Sequence, residues 1–75
     1  MPKLRRVVGE EAIRALERLG FVRVRQRGSH VVLKKDTPDG PIGCVVPVHH
    51  ELAIGTLRGI LRQANVSPGE FLDSL

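Results

Sequence analysis

The stretch from Phe21 to Val48 constrains this 75-residue chain more than any other. It holds three short runs rich in β-branched residues, separated by Arg27-Gly28 and by Asp36-Thr37-Pro38-Asp39-Gly40-Pro41. In the first run Val22 and Val24 alternate with Arg23 and Arg25, the period-two signature of a half-buried strand. The pattern predicts strands over Phe21–Gln26, Ser29–Lys35 and Ile42–Val48. Loops of two and six residues join such strands as antiparallel hairpins, since a parallel connection needs a crossover of a dozen residues or more. Gly28 supplies the positive φ that the first turn wants, and the Pro/Gly cluster breaks the second.

A helical pattern stands on either side. Ala12, Ile13, Leu16 and Leu19 form one apolar stripe over Glu10–Leu19, with Glu10 and Glu11 in the first turn and Gly20 as a left-handed stop. Leu57, Ile60, Leu61 and Ala64 mark a second helix over Thr56–Ala64, with Gly55 or Thr56 as its cap. Ser67, Pro68 and Glu70 have the spacing of a capping box that starts a short last helix. Residues 1–8 read as a basic lead-in carrying Lys3, Arg5 and Arg6, and residues 9–75 as one domain. The fold class is α+β, in the order α-β-β-β-α. Both helices pack on one face of a three-stranded antiparallel sheet, and a short helical turn follows. This layout resembles the double-stranded-RNA-binding domain, but a fold by itself does not give a function.

Composition narrows the partners. Twelve basic and eight acidic residues leave a net charge of +4, which favours a polyanion or an acidic protein. Phe21 and Phe71 are the only aromatics, which argues against an aromatic platform that stacks single-stranded bases. Cys44 is the only cysteine, so an intrachain disulfide and a zinc finger are excluded, and it reads as a small core residue. The acids are scattered. His49 and His50, as strand neighbours, point to opposite faces, so neither a metal nor another cofactor is expected. No apolar run approaches the ~18 residues that span a membrane. The start Met1-Pro2-Lys3-Leu4-Arg5-Arg6 has no apolar stretch behind it, so the expected location is the cytoplasm.

Strand parity predicts what the uncovered sheet face carries. Val22, Val24, Val31, Leu33, Ile42, Cys44, Val46 and Val48 should point to the helices. Arg23, Arg25, His30, Val32, Lys34, Val45, Pro47 and His49 should point away. With Arg27-Gly28 as the loop, Gln26 pairs with Ser29 and Arg25 lies opposite His30. Across the other hairpin Lys35 pairs with Ile42, Val32 with Val45 and His30 with Pro47, leaving His49 a diagonal neighbour of His30 at roughly 7–8 Å. His30 then sits among Arg23, Arg25, Lys34 and His49.

Histidine ordinarily titrates close to neutral pH, so it can take the proton of a ribose 2′-hydroxyl, while arginine or lysine holds the charge growing on phosphate. That chemistry needs no divalent metal. The same residues also fit plainer roles. A strand histidine is often only a surface residue, arginines often blunt an exposed sheet edge, and Ser29 suits the turn. The residues thus leave open an RNA-cleaving enzyme, a non-catalytic RNA-binding module, and a protein-interaction domain using Val32 and Val45.

The order of motifs resembles one known family. Gly20-Phe21, then Arg25-Gln26-Arg27-Gly28-Ser29-His30, is similar to the signature of HicA toxins, a glycine-phenylalanine followed by a basic stretch and Gly-Ser-His. Val46-Pro47-Val48-His49, then Gly55-Thr56-Leu57-Arg58-Gly59-Ile60-Leu61-Arg62-Gln63-Ala64 and Val66-Ser67-Pro68-Gly69-Glu70-Phe71, continue the resemblance over about residues 9–73. It implies an mRNA interferase of a toxin–antitoxin pair, with His30 as catalytic residue. It also implies a HicB-like antitoxin that masks this histidine. Many relatives carry an aromatic residue shortly after the histidine, where this chain has Val31, Val32 and Leu33. The RNA contacts expected here are Arg23, Arg25, Arg27, Lys34 and His49, with the Gly28-Ser29 turn positioning the site.

Overall fold

The computed structural model describes residues 3–75. Strands β2 (Val22–Arg27), β3 (His30–Thr37) and β4 (Gly40–Pro47) form an antiparallel sheet in the order β2-β3-β4. Helices α1 (Gly9–Arg18) and α2 (Ile54–Ala64) cover one face, and α3 (Pro68–Asp73) follows. The expected α-β-β-β-α order is therefore observed. Val31, Leu33, Cys44 and Val46 project from the sheet into one core with Ala12, Ile13 and Leu16 of α1 and Leu57, Ile60 and Leu61 of α2, and Phe21 and Phe71 are buried in the same cluster. Each large side chain buried this way contributes about 1.5–3 kcal/mol relative to exposure.

Local chemistry ends the helices. After α1, Gly20 takes φ 104°. Its N–H donates to the Glu17 carbonyl and that of Phe21 to the Leu16 carbonyl, so the last turn's free acceptors are satisfied. Asn65, at φ 56°, does the same for α2. At α3 the Ser67 hydroxyl accepts from the Glu70 N–H at 3.2 Å, and the Glu70 carboxylate accepts from the Ser67 N–H at 3.1 Å. This is the expected capping box. Helix α2 departs from expectation: it starts at Ile54 behind Ala53, before the predicted caps Gly55 and Thr56.

That early start has a tertiary cause, since two residue pairs form a second, small sheet. β1 (Val7–Val8) pairs antiparallel with β5 (Glu51–Leu52), Val7 opposite Leu52 and Val8 opposite Glu51. The helix takes over directly behind β5. Leu4 and Val7 are buried in the main core, so the segment read as a basic lead-in packs with the domain from Leu4 onward. Met1 and Pro2 lie outside the described residues. Two-residue strands carry no periodicity, which is why sequence reasoning passed over them.

The β3–β4 register agrees with expectation, with His30 opposite Pro47, Val32 opposite Val45 and Lys35 opposite Ile42. It runs further, to Thr37 opposite Gly40, so only Pro38 and Asp39 remain in the loop. The Thr37 hydroxyl, which donates to the Gly40 carbonyl and accepts from the Asp39 N–H, closes that loop. Strand β4 ends at Pro47 rather than Val48.

The β2–β3 hairpin differs twice. Arg27, not Arg25, lies opposite His30, and Gly28-Ser29 form the loop in place of Arg27-Gly28. Gly28, at φ 59°, occupies the first loop position, where a tight hairpin turn favours glycine. Further along, the pairing shifts between Arg23 and Arg25, leaving Val24 as the extra residue of a bulge. Arg23 is thereby opposite the inward Leu33, and the expected parity of β2 is reversed at that end. Val22 and Val24, expected beneath the helices, are 61% and 51% exposed.

Candidate functional site

His30 is the first residue of β3 and is exposed, with Arg27 across on β2 and Pro47 across on β4. The neighbouring row on the same face is Arg25, Val32 and Val45, and the one beyond is Val22, Lys34 and Gly43. Since Val31 and Leu33 are fully buried, these alternate residues form the sheet face turned away from the helices. Arg27 is thus the direct cross-strand neighbour of His30 and Arg25 a diagonal one. Lys34 stands four residues along the strand, about 13 Å away at the usual rise. The bulge turns Val24 outward beside Arg25, and Val24, Arg25, Val32 and Lys34 line one shallow depression.

The loop is anchored next to the histidine. The Val48 N–H donates to the Ser29 carbonyl at 2.7 Å, tying the exit of β4 to the residue before His30. Gln26 donates from its amide to the Gly28 carbonyl at 2.9 Å, bracing the same turn from β2. His49 follows one residue after Val48, in a bend beyond the ladder, and is exposed. Strand pairing therefore does not hold it as a diagonal neighbour of His30. The His50 carbonyl accepts from the Gly9 N–H at 2.9 Å, which secures that bend against the start of α1.

Arg23 is placed elsewhere than expected. Its guanidinium donates to the Glu10 carboxylate at 2.7 Å and to that of Glu17 at 3.4 Å, both on α1. The Glu10 hydrogen bond, ahead of the other interactions, raises its already high pKa. Arg25, Arg27 and Lys34 make no ion pair with any acid among the described residues, so their charge is free for an anionic ligand. Sequence reasoning missed Arg27 as the nearest cation because it took Arg27 into the loop.

Cys44 lies beneath the sheet at 3% exposure, and burial pushes its thiol pKa up to about 11. It is therefore neither ionised near neutral pH nor within reach of a substrate. Among the described residues no group of three or more His, Cys, Asp or Glu side chains is arranged to hold a metal ion.

The family model for the HicA toxin of bacterial toxin-antitoxin matches residues 9–66. The chain belongs to the HicA toxin family. The match spans α1, the whole three-stranded sheet and α2, and it includes His30 with its cationic neighbours. A HicA-family chain is a toxin of a toxin–antitoxin pair. A search of the curated proteins finds no match. No helix among the described residues is long and apolar enough to cross a membrane.

Proposed function

We propose that this HicA-family toxin is an endoribonuclease, an mRNA interferase that cleaves RNA without a metal ion and uses His30 as its base. One observation carries the reading: His30 is exposed on the open sheet face, directly opposite Arg27 and diagonal to Arg25, neither of which an acid among the described residues neutralises. His30 takes the proton of a ribose 2′-hydroxyl, and the freed oxygen attacks the adjacent phosphorus. The 2′,3′-cyclic phosphate forms as the bond to the 5′-oxygen breaks, and that leaving oxygen takes its proton from water. Arg27 and Arg25 hold the non-bridging phosphate oxygens, where negative charge accumulates. Lys34 holds the backbone further along the face. Arg23, committed to Glu10 and Glu17, has no part in this set.

The same face supports the antitoxin contact. Val22, Val24 and Val45 are 61%, 51% and 42% exposed, and Arg25, Arg27 and Lys34 surround them. An apolar strip ringed by cations suits an apolar, acidic surface such as a HicB-like antitoxin would present. Such a partner would cover His30 and keep the toxin inactive in the cytoplasm.

The test is RNA cleavage by the purified toxin with EDTA present. Fragments are expected from the unaltered chain and none from His30→Ala, which still binds RNA. An RNA carrying 2′-deoxyribose at the cut site should resist. Growth arrest by His30→Ala equal to that of the unaltered toxin would overturn the assignment.

A further inference from the structure

Residues 3–8 display a second group of cations at fixed positions. Leu4 is 7% and Val7 2% exposed, whereas Lys3, Arg5 and Arg6 all face solvent. The two buried side chains and the β1–β5 pairing hold the backbone, so these charges do not trail on a loose tail. The one acid engaging them among the described residues is Glu51, 3.5 Å from Arg6. With both side chains more than 60% exposed, that pair is weak.

The place where this arm joins the sheet matters. Gly9 sits against the end of β4 so closely that a Cβ there would fall 1.7 Å from the Pro47 carbonyl oxygen. Pro47 is the residue directly opposite His30. Arg5 is four residues from Gly9, at most about 14 Å of extended chain. The bend between Pro47 and β5 adds His49 and His50, both exposed, and the first turn of α2 holds no acidic residue. Arg25 and Arg27 thus neighbour His30 on β2, and Lys3, Arg5 and Arg6 lie on the segment that leads into Gly9, which is seated on the end of β4 that carries Pro47.

We infer that the pinned arm is a second phosphate-holding surface, and that the RNA backbone runs from Arg25 and Arg27 across His30 to Lys3, Arg5 and Arg6. This rests on the endoribonuclease reading above. It places part of the RNA affinity on residues outside the sheet face and leaves the chemical step to His30.

Salt-dependent binding tests it, since each phosphate that the protein no longer neutralises lowers the slope of log affinity against log salt by about 0.7–0.9. The probe is a labelled stem-loop RNA with a stem of about 16 base pairs, and the His30→Ala chain keeps it intact. In that background, adding Lys3→Gln, Arg5→Gln and Arg6→Gln together is expected to lower the slope by about 2–3. Arg62→Gln, in the last turn of α2, is expected to leave it unchanged. Thermal melts of each variant report whether the fold survives. An unchanged slope in the folded triple variant, or an equal loss per charge in Arg62→Gln, overturns the arm and leaves the endoribonuclease reading standing. Absence of RNA binding by the His30→Ala chain with its arm intact overturns both.

Discussion

Arg23 donates to Glu10 at 2.7 Å and so ties the edge of the sheet to helix α1. Without the bulge at Val24, Arg23 would point to the open face and Val24 to the helices. Glu10 and Glu17 lie on one side of α1, two turns apart, and the guanidinium bridges them. The bulge thus accompanies an ion pair between layers. It turns two valines into solvent beside the candidate site.

Because these side chains are partly exposed, solvent screens the pair and its contribution is small. Glu10→Gln is expected to cost roughly 0.5–1 kcal/mol, read from the midpoint of urea unfolding at unchanged slope. Glu10→Gln with Glu17→Gln frees Arg23. Amide exchange along β2 should then rise near Val24. Protection identical to that of the unaltered chain would show that the bulge does not depend on the pair.

His30 is exposed and makes no side-chain hydrogen bond among the described residues, so its removal should not disturb the fold. His30→Ala is expected to unfold within about 0.5 kcal/mol of the unaltered chain. Loss of a general base lowers cleavage by about 10²–10⁴-fold. Thermal melts and single-turnover cleavage of a labelled RNA measure the two effects separately.

Two glycines should respond in opposite directions to the same substitution. Gly9→Ala drives a methyl into the Pro47 carbonyl, and the backbone of α1 or β4 must move. Overpacking of this kind costs about 1–3 kcal/mol, and here it displaces the residue opposite His30. Cleavage should therefore fall along with stability. Gly59 in α2 has open space around a would-be Cβ. Gly59→Ala should stabilise by about 0.5–1 kcal/mol through helix propensity alone. Melting temperatures of both variants give the check.

The Cys44 thiol, raised to about 11 by burial, links stability to alkaline pH. The unfolded thiol loses its proton near an ordinary value of about 8.5. Folding thus favours the protonated form. Its contribution is complete below about 8.5 and is lost as pH rises from there through about 11. Alkylation by iodoacetamide at pH 8 should be slow in the native chain and rapid in urea. Cys44→Ala should flatten the alkaline limb of the stability profile.

Much of the fold was legible in the residues because it rests on local and periodic interactions. The three-stranded meander, the stripes of α1 and α2, the Gly20 stop and the Ser67–Glu70 box each depend on groups a few residues apart. The β3–β4 register was legible too, since one buried face specifies which of two parities is allowed. His30 on the open face follows from that same parity. Its nearest cation did not follow, because assigning Gly28-Ser29 rather than Arg27-Gly28 to the loop shifts the pairing along β2.

What the sequence by itself determined, then, is the order of elements, the antiparallel sheet and the inward set Val31, Leu33, Cys44 and Val46. Tertiary structure alone decided the outward turn of Val24, the withdrawal of Arg23 from the open face, the β1–β5 pairing and the seat of Gly9 on Pro47. The physical reason is range. Each of these features balances a weak local preference against a partner far along the chain: Glu10 for Arg23, Glu51 for Val8, Pro47 for Gly9. Such partners become neighbours only once the core has closed.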